Sequence, residues 1–215
     1  MLDITPIILN VNKRYQGDLV HYFNHVCEAP NFHMPYHNFR HLCHVLWEVY
    51  DAAMQMGLDP VETRILLIAA LMHDYDHTGM KGEDAINIER AIRALDQIAL
   101  EEDRKYLIEI RAMVRATQYP YTDEVFTPNQ LLLRDADQSQ TFSLVWMQSL
   151  GGLGQEMGIS FRKILEMQRP FMENIKFHTL WGQNKFVPMI PMHLSRVDGI
   201  LDILKRKKNK ENNAL

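Results

Sequence analysis

Ten histidines occur in 215 residues, and six of them fall between His33 and His77. His37, His41 and His44 are spaced by four and three residues. At about 100° per residue this sets His37 and His41 almost one above the other on a helix. A second group, His73-Asp74-Tyr75-Asp76-His77-Thr78-Gly79, follows directly on the apolar run Ile65 to Met72. Titratable groups at the end of such a run are costly to bury unless they are paired or bound to a cation. Imidazole with carboxylate suits Zn, Fe, Mn or Ni. A third group, Arg134-Asp135-Ala136-Asp137-Gln138-Ser139, places two more carboxylates in an otherwise apolar stretch. Helical phase does not choose between them, since 131–135–142 and 133–137–144 both make workable faces.

The elements that must carry these groups read as helices. Apolar residues recur near a 3.6 period at Leu19–Phe23–Val26, Leu42–Val45–Val49–Ala52 and Ile65–Ile68–Leu71, then over 83–98, 103–117, 129–150, 160–179 and 191–204. Between them stand Pro30 and Pro35, Gly57 with Pro60, Gly79 and Gly82, Pro120 and Pro128, Gly151-Gly152-Leu153-Gly154, and Pro188 with Pro191. Asp59-Pro60 reads as an N-cap followed by proline at the first helical position, with Glu62 adding first-turn negative charge. No alternating run is long enough for a strand, and no solenoid period repeats. The expected architecture is all-α, a single compact bundle of about seven to nine helices over 1–204. Residues 205–215, KRKKNKENNAL, read as a basic, disordered tail.

Composition narrows the partners. The chain carries a formal charge of −4, with 47% hydrophobic residues and two well-separated cysteines, Cys27 and Cys43. The tail holds five basic residues and one acidic residue, so the rest is more acidic than the total suggests. This balance argues against nucleic acid as the main partner. The apolar run Ile65 to Met72 is far too short to span a bilayer, and the cysteine usage suits a reducing, cytoplasmic setting.

The ordered His…His-Asp…Asp pattern on an all-α chain resembles the HD-domain metal-dependent phosphohydrolases. Tyr36-His37-Asn38-Phe39-Arg40-His41, followed by Val45, is similar to the YHNxxHxxxV motif of the class I cyclic nucleotide phosphodiesterases, and His73 to Gly79 is similar to their HDxDHxG motif. Ala136-Asp137-Gln138-Ser139 resembles the segment that carries the family's last metal ligand. Met167-Gln168-Arg169-Pro170-Phe171-Met172 resembles its purine-reading Q-x-x-F element. Independently of that likeness, Phe161, Leu165, Gln168, Met172 and Ile175 step round one helical face and set an amide in an apolar stripe. There are departures. Gln118 stands where the family's alanine-threonine-aspartate segment has Asp. The family's Glu-x-His-His segment is missing, and GEDAINIERAIRAL in its place is closer to small bacterial HD proteins.

The resemblance implies a metal-dependent phosphohydrolase with His41, His73, Asp74 and Asp137 as ligands of a first ion (Zn, Fe, Mn or Ni). Asp74 would reach toward a second ion, Mg or Mn. It implies His37 as general acid, with His77 in the hydrogen-bonded shell around it, and Gln168 and Phe171 as the base-binding pair. The expected substrate is a small phosphate ester, foremost a 3',5'-cyclic nucleotide. The alternatives are a nucleotide phosphomonoesterase or alarmone hydrolase using the same centre, and a catalytically silent sensor of nucleotide or metal. His33 and His44 are expected at the helix surface or behind the ligands. His21, His25, His178 and His193 are expected in structural roles. Oligomeric state has no signal in the sequence.

Overall fold

The computed structural model describes residues 4–14, 17–79, 82, 84–121 and 127–212, with side chains to residue 206. Among these residues there are eleven α-helices and no strand: α1 (Thr5–Arg14), α2 (Leu19–Cys27), α3 (Phe39–Met56), α4 (Pro60–Met72), α5 (Asp84–Ile98), α6 (Leu107–Ala116), α7 (Pro128–Gln138), α8 (Trp146–Glu156), α9 (Phe161–Asn174), α10 (Leu180–Phe186) and α11 (Ile190–Asn212). Short 3₁₀ segments at Glu101–Tyr106, Ser139–Phe142 and Val187–Met189 join some of them.

The all-α class agrees with expectation, but the count of seven to nine is too low. The N-terminal α1 was not anticipated. The stretch 129–150 breaks at Ser143 into α7 and α8, and 160–179 ends at Asn174 with the separate α10 beyond it. The glycine run 151–154 lies inside α8 rather than between helices. Pro170 lies inside an uninterrupted α9. Helix α11 runs through Asn212, into the basic segment, and residues 213–215 lie outside the described residues.

Helix α4 is the axis of the molecule. Asp59 and Glu62 form its capping box around Pro60, satisfying the first backbone donors reciprocally. Every residue from Thr63 to Met72 is buried, because α2, α3, α6 and α7 pack around it. A helix apolar on all sides has nowhere to sit but the centre. Helix α3 starts at Asn38, whose side chain accepts from the backbone N–H groups of Arg40 and His41, and stops at Gly57, where φ is +68°. A buried cluster joins the entry of the chain to this axis. The Arg64 guanidinium donates to both oxygens of Asp103 at 3.0 and 2.9 Å, and the Tyr22 hydroxyl donates to Asp103 Oδ2 at 2.8 Å. Trp146, Leu150, Ile164, Leu165 and Val197 build a second, smaller core from α8, α9 and α11.

Candidate active site

Helix α4 ends at the His-Asp pair, and α3 runs past it with His41 one turn inside its N-terminus. The two imidazoles meet Nε2 to Nε2 at 3.2 Å. Asp74 Oδ2 lies 3.2 Å from His41 Nε2 and 3.3 Å from His73 Nε2. Asp137 Oδ1, from the last turn of α7, lies 3.1 Å from His41 Nε2 and 3.6 Å from His73 Nε2. Four side chains from three helices thus converge on one point. The ring of Tyr36 stacks over His41 at 5.1 Å between centroids.

The protonation chemistry of this group follows from its crowding. Burial opposes the charge on each member, yet hydrogen bonds donated to the two carboxylates hold the His41 imidazole up at about 9. His73 is raised well above its ordinary value against the same burial, chiefly by the Asp74 charge and the Asp137 hydrogen bond. Asp137 is likewise pushed down to about 2 in spite of burial, by its hydrogen bonds to both imidazoles. The donor set itself fits a divalent ion. His73 Nδ1 lies 2.9 Å from the carbonyl of Ala70 and donates to it, so the Nε2 lone pair faces the cluster. His41, His73 and Asp74 present ligand atoms within 4.8 Å of one another, and two imidazoles with carboxylates are a first-row metal set.

Asp135 does something else. Two residues from Asp137 it points to the opposite side of α7. There its carboxylate accepts from the backbone of His178 and Thr179 and from the Thr179 hydroxyl, at 2.7–3.0 Å. It anchors the start of α10, where a Cβ on Gly182 would come 2.6 Å from Asp135 Oδ2.

Beside the cluster lies a second group. His37 Nδ1 is 2.5 Å from Glu156 Oε2, while Glu156 Oε1 accepts from the backbone N–H groups of Tyr36 and His37 at 2.5 and 3.0 Å. These bonds outweigh burial and keep the Glu156 carboxyl below its usual range. His77 stacks on His37, with centroids 3.6 Å apart and planes 19° from parallel. The Gly79 N–H donates to His77 Nδ1, and the Asn87 carboxamide nitrogen lies 2.9 Å from its Nε2. The ligand atoms of His37, His77 and Glu156 lie within 4.8 Å of one another, so this second group could also hold an ion. The ring centroids of His37 and His41 are 6.2 Å apart.

Gln168 and Phe171 stand on a different element, α9. Gln168 is buried, and its Oε1 accepts from the Thr141 hydroxyl at 3.3 Å in the 3₁₀ turn that follows α7. Phe171 packs half-buried against the main core. His44, expected at the surface or behind the ligands, is buried one turn beyond His41. It donates from Nε2 to Ser139 Oγ at 3.0 Å, since the Ser139 hydroxyl itself donates to Ala136. His193 is buried edge-on against Trp146, and His33 packs edge-on to Phe32.

Reading the sequence alone missed Glu156, Asn87 and Asn31. Glu156 had no motif around it. The only hint was the glycine-rich helix before it, since glycine inside a helix costs about 1 kcal/mol and calls for a packing reason. That reason is close approach: a Cβ on Gly152 would fall 2.1 Å from the carbonyl oxygen of Pro35. Asn87 lies in the segment that replaces Glu-x-His-His, and its Oδ1 accepts from the backbone and hydroxyl of Thr78.

Residues 36–103 match the family model described as 3'5'-cyclic nucleotide phosphodiesterase. The match takes in His37, His41, His73, Asp74 and His77 and ends before Asp137, Glu156 and Gln168. This segment is phosphodiesterase-like. No curated protein matches the chain. Among the described residues, no helix is long and apolar enough to cross a membrane.

Proposed function

We propose that this chain is a metal-dependent phosphodiesterase of the HD type that hydrolyses a 3',5'-cyclic nucleotide. The observation that carries the reading is the juxtaposition of two groups. His41, His73, Asp74 and Asp137 converge within 3.1–3.6 Å, and the His37–Glu156 pair stands beside them. His41, His73, Asp74 and Asp137 would hold the first divalent ion, and Asp74 would also serve a second. When bound, the ions supply Lewis acidity toward the phosphoryl oxygens and lower the pKa of water.

The chain's own residues do the rest. Glu156 accepts the Nδ1 proton of His37, which fixes the ring and leaves Nε2 as the donor to the leaving oxygen. His77, stacked on that ring, stops it from turning. Tyr36 covers His41 and keeps water from one side of the cluster. Gln168 and Phe171 are the proposed base contacts.

The test is a side-by-side assay of Mn- or Zn-loaded protein on cyclic AMP, cyclic GMP, linear nucleotides and bis(p-nitrophenyl) phosphate. Cyclic nucleotides should be opened to monophosphates. His37→Asn should keep its metal but lose roughly 10²–10⁴-fold in turnover of cyclic AMP, and much less on the aryl ester, whose leaving group needs little protonation. Equal losses on both would show that His37 does not donate the proton. Turnover confined to monoesters would replace the diesterase reading with a phosphatase.

A further inference from the structure

Asn31 is 2% exposed, lies in the turn before α3 and belongs to none of the motifs. Its carboxamide nitrogen donates to the carbonyl oxygen of His37 at 2.7 Å and to that of Asp74 at 2.8 Å. Its carboxamide oxygen accepts from the Asp76 N–H at 2.9 Å. All three bonds go to main chain, on two segments that otherwise meet through side chains. One rigid planar group therefore fixes the backbone under the acid relative to the backbone under the His-Asp pair. The far side of this joint is held as well. Asp76 has φ +60°, in the left-handed region that costs an L-residue energy. Arg90 clamps it there, donating from Nε to the Asp76 carbonyl at 2.9 Å and from Nη2 to its carboxylate at 2.7 Å. The turn that carries Asn31 is also tied to α3, because Asn38, its N-cap, donates to the Met34 carbonyl at 2.6 Å.

We infer that Asn31 is a positioning residue that sets the separation of the proton donor His37 from the cluster around Asp74; the inference rests on the function proposed above. Only Asn supplies this pattern at this reach. Asp offers no donor and would set a carboxylate against two carbonyl oxygens. Ser offers one donor, and Ala offers none. A group acting this way leaves the ligands' own side chains untouched. Its loss should therefore fall on the step that needs His37 and the cluster at a fixed distance, with little effect on holding metal or on the chemistry of a good leaving group.

The experiment compares wild type, Asn31→Ser, Asn31→Ala and His37→Asn on cyclic AMP and on bis(p-nitrophenyl) phosphate, with bound metal quantified and thermal melts recorded for each. The expected result is a fall in kcat on cyclic AMP of about 10–100-fold for Asn31→Ala, the range typical of residues that orient a site from behind. Asn31→Ser should show a smaller fall. KM and metal content should stay near wild type, and the aryl ester should lose under about threefold. A packing role alone would lower the melting temperature while leaving the ratio of the two substrates' kcat at its wild-type value. That ratio, measured in whichever Asn31 variant folds, overturns the inference if it is unchanged while His37→Asn shifts it. If His37→Asn does not shift it either, or the wild type cleaves neither substrate, the proposed function is what has failed.

Discussion

At the scale of single residues, a cation held by the cluster would have to displace protons. With carboxylates at 3.1 and 3.2 Å, His41 is held protonated up to about 9, and His73 is raised as well. A divalent ion needs both imidazoles neutral, so binding near pH 7 must expel these protons. Affinity should therefore climb as pH rises from 6 toward 9. Calorimetric titration of metal-free protein with Zn or Mn, repeated in buffers of different ionisation enthalpy, reads the release directly. Between one and two protons per ion are expected at pH 7, by the linkage of metal and proton at shared ligands. Binding that releases no proton would mean that the imidazoles are not ligands.

At the scale of elements, the site depends on how closely helices approach. Helix α8 delivers Glu156 to His37 because Gly152 lets it lie on the Pro35 carbonyl, with 2.1 Å to a would-be Cβ. Gly152→Ala cannot be absorbed by a side-chain rotation, since the obstacle is main chain. The helix must move away, and Glu156 moves with it. Gly152→Ala should match Glu156→Ala in its loss of cyclic nucleotide turnover, at least about 10²-fold for a general acid left unoriented, while metal binding persists. Near-normal activity in Gly152→Ala would show that the dyad does not depend on this contact. The same helix marks where sequence reading stopped. The motif histidines lie on strongly periodic helices and were legible from spacing. Gly152 reads as a break because its packing partner, Pro35, is more than a hundred residues away in the chain. Glu156, Asn31 and Asn87 act through main chain or through other side chains, and such bonds leave no period. Asp135 and Asp137 could not be separated by phase because α7 uses both of its sides, one toward α10 and one toward the site.

At the scale of the whole molecule, stability carries a mark of what the core has swallowed. Burial pushes His44 down to about 3, with His41 and Lys185 adding repulsion. The unfolded chain protonates this ring near 6.5, so folding is favoured by its neutral state above pH 6.5. That contribution is lost progressively as pH falls toward 3. His44→Gln retains a donor for Ser139 without the titration. Urea midpoints of the two proteins should converge as pH drops from 7.5 to 5, with wild type losing more than the variant. Parallel losses would mean that His44 is protonated in the fold without penalty.

The enclosure of α4 has one more consequence, in mechanical terms. Residues 65–73 are at most 2% exposed, so His73 and Asp74 are mounted on a rod held from every side, and local opening there would require opening the molecule. Residues 32–40, which carry His37, are mostly half-exposed and ride on turns. The half-exposed side is pinned to that rod by the three main-chain bonds of Asn31 and to α8 by Glu156, so the spacing of acid and cluster is set by hydrogen bonds on one side and by packing on the other.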